Sequence, residues 1–430
     1  MKYRKNPTFL FYRPAQPRAA AIASTIDGMT AFDVIVVGAG PAGATAARML
    51  GEAGVSTLLL DKSSFPRDKP CGGGISARVL SRFPYLHDAL AAIPVNRVNK
   101  VYFESPSGDA VDYRSDSALY LMIRRCEFDN LLFSLARTRV EAATAMARKV
   151  TVHPDHVSVG TDDNEYQARL VIGCDGANSV VARVSGLRSG SVQDQYAIDM
   201  MEETPYQELS TAERDRMYIY YRIRSHYGYG YVFPKTSHLN AGIGFKLDYY
   251  LSHLRGGHYA HHKAFVEDLT AKGLLAGASN PNNFRAFPLP ISGPLPRTYG
   301  ERVLLSGDAG GFVNALTAEG IYYAMVSGDH AARAAIAALR TGAPLSSYER
   351  AWRSEIGDEL RHSVRLQKLL LSDPERIDRV IRAASRHPAL ADVLARYATG
   401  SITHKQFRSA MLRRALPVYL REKARMLFSI

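Results

Sequence analysis

Phe32-Asp33-Val34-Ile35-Val36-Val37-Gly38-Ala39-Gly40-Pro41-Ala42-Gly43 is a Val/Ile run that stops on a glycine and restarts as an alanine-rich stretch over residues 42–51. β-Branched residues halted by glycine and followed by small helix formers read as strand, tight turn and helix. Residues 55–60 (VSTLLL) then form a second buried strand that ends at Asp61. Strand, turn, helix and strand in this order make a βαβ unit, with a parallel sheet and a right-handed crossover. The G-x-G-x-x-G glycines divide the work: Gly38 permits the turn, Gly40 lets backbone approach a pyrophosphate, and Gly43 lets the helix pack on the strand. Pro41 and Ala42 open a helix whose free N–H groups face the phosphates, and Asp61, with Lys62 beside it, is placed for a ribose diol.

Two later segments repeat the pattern of a buried strand that stops at an acid. Residues 168–174 (ARLVIGC) stop at Asp175-Gly176, and residues 303–306 (VLLS) stop at Gly307-Asp308-Ala309-Gly310-Gly311, ahead of a long helix from about Gly320. The glycine turn alone does not separate NAD from FAD, since both carry adenosine diphosphate. The Gly307 segment does: Asp308 suits a ribitol hydroxyl, and a helix N-terminus suits the electron-rich pyrimidine side of an isoalloxazine. The cofactor expected is FAD.

Between these pieces the character changes. Residues 216–223 (RMYIYYRI) and 227–233 (YGYGYVF) alternate and are rich in tyrosine, the mark of antiparallel strands. The fold class expected is mixed α/β: a discontinuous FAD-binding domain of Rossmann type (31–90, 121–186 and 297–342), a β-rich substrate domain (91–120 and 187–296) and a helical C-terminal region (343–430). Residues 1–30, interrupted by Pro7, Pro14 and Pro17, are read as a disordered tail, with Met29 an alternative start of translation. In a strand, Tyr227, Tyr229, Tyr231 and Phe233 would project to one face, while Gly228 and Gly230 leave the other nearly bare. That is an aromatic wall, either core or the side of a ligand cavity.

Composition bounds the rest. With 46% hydrophobic and 22% charged residues the chain is an ordinary folded protein. Its longest apolar stretch, residues 312–339, is broken by Glu319, Asp329, His330 and Arg333, which argues against a membrane span. Cys71, Cys126 and Cys174 are too dispersed for a disulfide framework or a metal knuckle, and a reducing cytoplasmic setting fits them. His253, His258, His261 and His262 lack a Cys or acidic partner at ligand spacing, so no metal site is read. The net charge of +13 is concentrated after Ala351, a basic stretch that could meet an anionic membrane at the inner face of the cell; no nucleic-acid partner is expected.

With these residues in view, the chain resembles the geranylgeranyl reductase family, a branch of the p-hydroxybenzoate-hydroxylase-like FAD enzymes. DVIVVGAGPAGATAARML resembles the family's FAD fingerprint, and KPCGGGIS (residues 69–76) its cysteine-glycine segment, which implies that Cys71, Gly72 and Gly73 lie over the flavin. Arg125 in RCEFD matches an arginine that lies against FAD, Asp175-Gly176 the Asp-Gly motif of the larger group, and LLSGDAGGFVNALTAEGIYYAMVSG the second FAD segment. By this resemblance Gly307, Asp308 and Gly311 meet the ribitol side, and Gly320 and Ile321 lie beside the ring. The family's substrate-domain signature, P-x-x-Y-x-W-x-F-P, corresponds to residues 226–234, where Tyr229, Phe233 and Pro234 match, His226 replaces the first proline and Tyr231 the tryptophan.

The resemblance implies hydride transfer from reduced FAD to a carbon–carbon double bond of a prenyl chain on a diphosphate, lipid or quinone. NADPH or ferredoxin is the expected electron donor. Cys71, Tyr229 and Tyr231 are the candidate catalytic residues, and Tyr227, Tyr229, Tyr231, Phe233 and Pro234 the candidate substrate contacts. Lys69, Arg78, Arg222, Arg224 and Lys235 are candidates to hold an anionic head group. Two rival readings share the fold: an FAD monooxygenase of an apolar or aromatic substrate, and a flavoprotein passing electrons to quinone. Trp352, the single tryptophan, is expected in the core.

Overall fold

The computed structural model describes residues 24–26, 29–189, 195–371 and 373–414. The Val/Ile run forms the strand Met29–Val37, flanked by parallel strands Thr57–Asp61 and Glu165–Gly173. Glu141–Thr144 extends the parallel set past Thr57–Asp61, and Val303–Leu305 pairs with the last residues of Glu165–Gly173. Ile35, Val36, Leu58 and Ile172 are fully buried, as strands covered on both faces must be. Because the five strands run the same way, they end at one edge, and the residues that follow them there include Gly38, Asp175 and Asp308. Backbone bonds hold that edge in register: Gly38 N–H to the Leu60 carbonyl, Cys174 to Val37, and Ser306 to Gly173.

The hairpin Lys149–Val152 and Val157–Gly160 completes this sheet on one side. Ser24–Ile26 also pairs with Met29–Ala31, so the described residues of the expected disordered tail form strand. Residues 1–23, 27 and 28 of that expected tail lie outside the described residues.

Pro41–Glu52 packs against the long helix Ile321–Thr341 at backbone distance, since a Cβ on Gly328 would stand 2.3 Å from the Ala42 carbonyl oxygen. Gly328→Ala is therefore expected to lower stability by about 1–3 kcal/mol through overpacking, more than the roughly 1 kcal/mol gained in helix propensity. A thermal unfolding midpoint at or above that of the parent protein would contradict this close approach.

The second sheet has the order Phe284–Pro290, Tyr196–Pro205, His238–Lys246, Tyr229–Pro234, Arg216–Tyr220, Lys100–Glu104 and Ala110–Arg114, antiparallel except where Arg216–Tyr220 meets Lys100–Glu104. The helices after residue 343 divide their packing. Tyr348, Trp352 and Leu360 join the core around the first sheet's helices, Trp352 donating to the Thr298 hydroxyl at 2.9 Å, whereas Ile377, Ile381 and Leu390 pack on the second sheet. Much of the basic charge there is locally neutralised, for Arg376, Arg382 and Arg414 pair with Asp373, Asp109 and Asp392. Arg421, Lys423 and Arg425 lie outside the described residues. No described helix is long and apolar enough to cross a membrane.

Candidate active site

At the edge of the first sheet, Gly38 takes a positive φ of 98° and turns the chain into Pro41–Glu52. That helix starts on Gly40 and Pro41 with no side-chain cap and no acid in its first turn, so its N–H groups are open to an anion. A Cβ on Gly40 would meet only the Arg67 guanidinium, at 3.6 Å, so the turn offers bare backbone with a cation over it. Arg67 Nε lies 3.8 Å from Asp61, and its buried Nη1 lies 3.1 Å from Asp129 without a well-aligned hydrogen bond. Asp61 accepts from the Ala39 N–H at 2.8 Å and the Ser63 N–H at 2.9 Å, which leaves each oxygen a further lone pair facing the turn. Bare backbone, an uncapped helix, an incompletely bonded guanidinium and an oriented carboxylate fit the adenosine diphosphate half of FAD. Arg67 was not among the sequence candidates; its only signal was its place six residues past Asp61. Lys62 stands exposed.

Asp308 and the start of Ile321–Thr341 lie together in an arrangement that fits the flavin half of FAD. Asp308 pairs with Lys69 at 3.4 Å, and a Cβ on Gly320 would lie 3.7 Å from its Oδ1, so carboxylate and uncapped helix N-terminus are neighbours. Arg188 ties this turn down by donating to the carbonyls of Asp308 and Ala309, each at 3.0 Å. Gly307 and Gly311 both take positive φ, and a Cβ on Gly311 would stand 2.5 Å from the Gly293 carbonyl oxygen. Asp175, expected at the cofactor, accepts through its carboxylate from the Ser179 hydroxyl and from the N–H groups of Val180 and Val181, fixing the turn at Gly176.

The Cys71-Gly72-Gly73 backbone is clamped from the second sheet. Lys235 Nζ donates to the Gly72 carbonyl, and Asn240 Nδ2 donates to the Cys71 carbonyl at 3.1 Å. Lys235 is 2% exposed, and burial pulls its ammonium down to about 8. The Cys71 Sγ accepts from the Gly73 N–H at 3.4 Å and faces Arg125. Arg125 is buried with both its Nε and Nη2 on Asp129 at 2.7 Å, so within the protein it stiffens the segment behind Cys71.

The aromatic wall lies directly against these glycines. Tyr229, Tyr231 and Phe233 share one face, with ring centroids 5.9 Å and 4.6 Å apart, and a Cβ on Gly72 would press on the Phe233 ring at 3.0 Å. Tyr227 precedes the strand and is exposed, so it belongs to the rim of the wall. The expectation that Gly228 and Gly230 leave a bare face is corrected: Phe245 fills the space at Gly228, and Ile223 and Phe265 fill it at Gly230. Pro234 ends the strand, buried, its carbonyl accepting from Asn96 Nδ2 at 2.8 Å.

Two contiguous cavities run along the wall. The inner one, about 90 Å³, lies between Gly72–Gly74, Glu319–Ile321 and the tyrosines. The outer one, about 430 Å³, continues past Gly244 to Tyr249 and Ile377. Tyr229, Tyr231, Tyr221, Leu289 and Leu316 line both, so the two form one largely apolar passage. Asp199 also lines both and was missed in the sequence, because nothing in residues 196–205 marks it apart from other strand acids. Burial raises its carboxyl to about 7, and burial likewise raises Glu319 to about 7.

The five basic candidates do not converge. Lys69 meets Asp308, Arg78 meets Glu359, Arg222 donates to the Pro106 carbonyl, Arg224 pairs with Asp268, and Lys235 holds Gly72. Among the histidines, His253 and His258 stack on Tyr249 and Tyr250, and buried His262 lies 3.1 Å from the Ala241 carbonyl. Among the described residues no His/Cys/Asp/Glu group has metal-holding geometry.

Comparison with known proteins agrees with this geometry. Residues 31–355 match the family model described as FAD binding domain. The chain is similar to the chloroplastic geranylgeranyl diphosphate reductase of rice (Oryza sativa subsp. japonica), 31% identical over 76% of this chain and 71% of that protein. Digeranylgeranylglycerophospholipid reductase 2 of Methanothermobacter thermautotrophicus is 29% identical over 82% of this chain and 91% of that one. Among solved structures, a geranylgeranyl bacteriochlorophyll reductase-like protein from Thermoplasma acidophilum superimposes with a TM-score of 0.74 at 20% identity, covering 92% of this chain and all of that one, a likeness of fold. The glycine fingerprint, the Gly307–Gly311 turn, the Cys71–Gly73 segment and these relatives agree: the chain belongs to the geranylgeranyl reductase family of FAD-dependent oxidoreductases.

Proposed function

We propose that this protein reduces carbon–carbon double bonds of a geranylgeranyl-type chain carried on a diphosphate or a glycerolipid. The observation that supports this most is the passage itself: a long, apolar, tyrosine-lined channel that begins at the Gly72–Gly320 end and extends well beyond the room a single aromatic ring needs. FAD bound at the first sheet supplies hydride chemistry. The protein's part is to press the glycine segment against the ring site, exclude water with the aromatic wall, and hold a proton near the reacting carbons. Anaerobic incubation with pre-reduced flavin and geranylgeranyl diphosphate or a digeranylgeranyl glycerolipid tests the proposal. Stepwise gain of hydrogen pairs by mass spectrometry supports it, and a product that instead requires oxygen and carries a new hydroxyl favours the monooxygenase reading.

Chain length gives a second test. Gly244 lines the outer cavity, and a Cβ there meets nothing closer than 3.7 Å, so Gly244→Leu adds bulk to the passage without a backbone clash. The variant is expected to lose about 10–100-fold in kcat/KM on a geranylgeranyl chain while keeping activity on a shorter prenyl substrate. Equal losses on both would place the substrate elsewhere.

The mouth of the outer cavity supports entry from a membrane surface. Tyr227, exposed, lines that cavity, and the exposed Leu251 and Leu369 stand next in sequence to its lining residues Ser252 and Leu370. Exposed apolar side chains suit a lipid interface, and Lys246 on the lining is paired with Asp248 at 3.2 Å. With one dinucleotide turn spent on FAD, the donor, NADPH or ferredoxin, delivers electrons without a second such turn among the described residues.

A further inference from the structure

We propose that Asp199 is the proton store behind Tyr231, and that the pair delivers the proton that completes double-bond reduction; this rests on the reductase reading above. Where the family signature carries tryptophan, this chain carries Tyr231, and its hydroxyl lies 3.3 Å and 3.5 Å from the two oxygens of Asp199. The two residues sit on strands that are not adjacent: His238–Lys246 runs between them, pairing Gly242 with Tyr231 and Gly244 with Asp199. Only glycine there lets the phenol cross. A Cβ on Gly242 would stand 2.3 Å from the Tyr231 Cζ and 2.4 Å from its Oη. Asp199 and Tyr231 both line the inner and the outer cavity, so the pair borders the passage while the Tyr231 ring also packs in the core beside it.

A carboxyl in an apolar passage with no cation beside it is costly to ionise. The groups around it are Tyr231 and Tyr229 on the aromatic wall, Tyr221, Cys71 and Glu319 around the inner cavity, and Lys246, Asp248 and His253 around the outer one. Burial raises Asp199 to about 7 and pushes the Tyr231 phenol well above its usual range. A phenol so reluctant to ionise is a poor acid alone. With Asp199 protonated, the carboxyl O–H donates to the phenol oxygen, which frees the phenol O–H for the passage. With hydride supplied by a reduced flavin, one alkene carbon gains that hydride with its electron pair and the other gains the Tyr231 proton. The Tyr231 O–H bond breaks as the Asp199 proton moves onto the phenol oxygen, and the resulting Asp199 carboxylate recovers its proton from water through the outer cavity. Tyr231 is thus the catalytic residue and Asp199 a positioning residue that acts through it.

The test has two arms. In the flavin-free protein, infrared difference spectra of the parent minus Asp199→Asn between pH 5.5 and 8.5, which cancel the bands of Glu202 and Glu319, should show a protonated-carboxyl band that bleaches near pH 7 and shifts in the Tyr231→Phe background. Absence of that band at pH 5.5, or indifference to Tyr231→Phe, overturns the pairing. In the flavin-loaded protein, single-turnover reoxidation of reduced flavin by the prenyl substrate should slow about 100-fold in Asp199→Asn and in Tyr231→Phe. The double variant should be no slower than either single one, Asp199→Glu should recover much of the rate, and the parent's fall in rate above pH 7 should vanish in Asp199→Asn. Parent-like rates in both single variants overturn the relay. If the parent itself does not reoxidise with any prenyl substrate, the reductase reading fails and the relay with it, while the infrared arm still decides whether the pair shares a proton.

Discussion

Gly43→Ala yields a protein that purifies without flavin and unfolds at a lower temperature than the parent. A Cβ at this position would stand 1.8 Å from the Gly38 carbonyl oxygen and 3.2 Å from the Cys174 Cβ. Neither side can yield cheaply. The turn is held by the 2.7 Å bond from the Gly38 N–H to Leu60, and a Cβ on Gly38 itself would stand 2.3 Å from the Cys174 carbonyl oxygen. On the far side the helix already touches Ile321–Thr341 through Gly328. Accommodating one methyl group therefore moves the helix start relative to the strand, and the N–H groups that would meet the pyrophosphate move with it. A loss of at least 100-fold in flavin affinity, about 3 kcal/mol, is expected, alongside an overpacking cost of about 1–3 kcal/mol in the flavin-free protein. Gly40→Ala separates the two effects. Its Cβ has room within the protein, meeting only Arg67 at 3.6 Å, so this variant should keep the unfolding temperature of the flavin-free parent while binding flavin poorly. Flavin absorbance per chain and calorimetry read both quantities, and a flavin-replete Gly43→Ala protein of parental stability would refute the close approach.

The parts of this molecule that were legible in the sequence are those whose signal is local. Residues 32–43 announce the strand, turn and helix because each glycine there answers a backbone requirement within a few residues. The acids at the ends of parallel strands were legible for the same reason, and parallel pairing brings the turns of Gly38, Asp175 and Asp308 to one edge. Asp175 shows the limit: the bonding of its carboxylate to Ser179 and two backbone N–H groups depends on a turn geometry that composition does not encode. The face behind Gly228 and Gly230 was misread because its filling, Phe245 and Phe265, comes from a neighbouring strand and from the helix His258–Ala271. Asp199 and Lys235 are acid and base by sequence alone, and become unusual only once the second sheet buries them beside the glycine segment. Arg67 reaches the Gly40 turn through space.

Arg78→Met is expected to destabilise the protein by about 3–5 kcal/mol at pH 8, with a deficit that shrinks as the pH falls toward 5. Arg78 donates to Glu359 at 2.9 Å and to the Tyr323 hydroxyl at 2.9 Å, lies 3.7 Å from Glu319, and stacks over Tyr322 at 3.9 Å. Methionine keeps much of the aliphatic bulk and removes the charge, leaving two carboxylates near one another without their cation. Glu319 is 7% exposed, and burial already holds it at about 7 against the lowering influence of Arg78 and of the Ser76 N–H at 2.8 Å. Without Arg78 it rises further. An acid whose folded value stands above its unfolded value of about 4.3 binds its proton more tightly when folded, so its penalty is absent at low pH and grows as the pH rises through that interval. The parent carries part of this penalty between about pH 4.3 and 7, and the variant carries a larger one that extends to higher pH. Denaturant titrations at pH 5, 6.5 and 8 read the difference directly, and Glu319→Gln in the Arg78→Met background should restore stability mainly at pH 8. A deficit independent of pH would assign the loss to packing on Tyr322 instead. Because Glu319 immediately precedes the helix start at Gly320, the same variant should also hold flavin less tightly at pH 8 than at pH 6, which couples the buried ion cluster to the cofactor site.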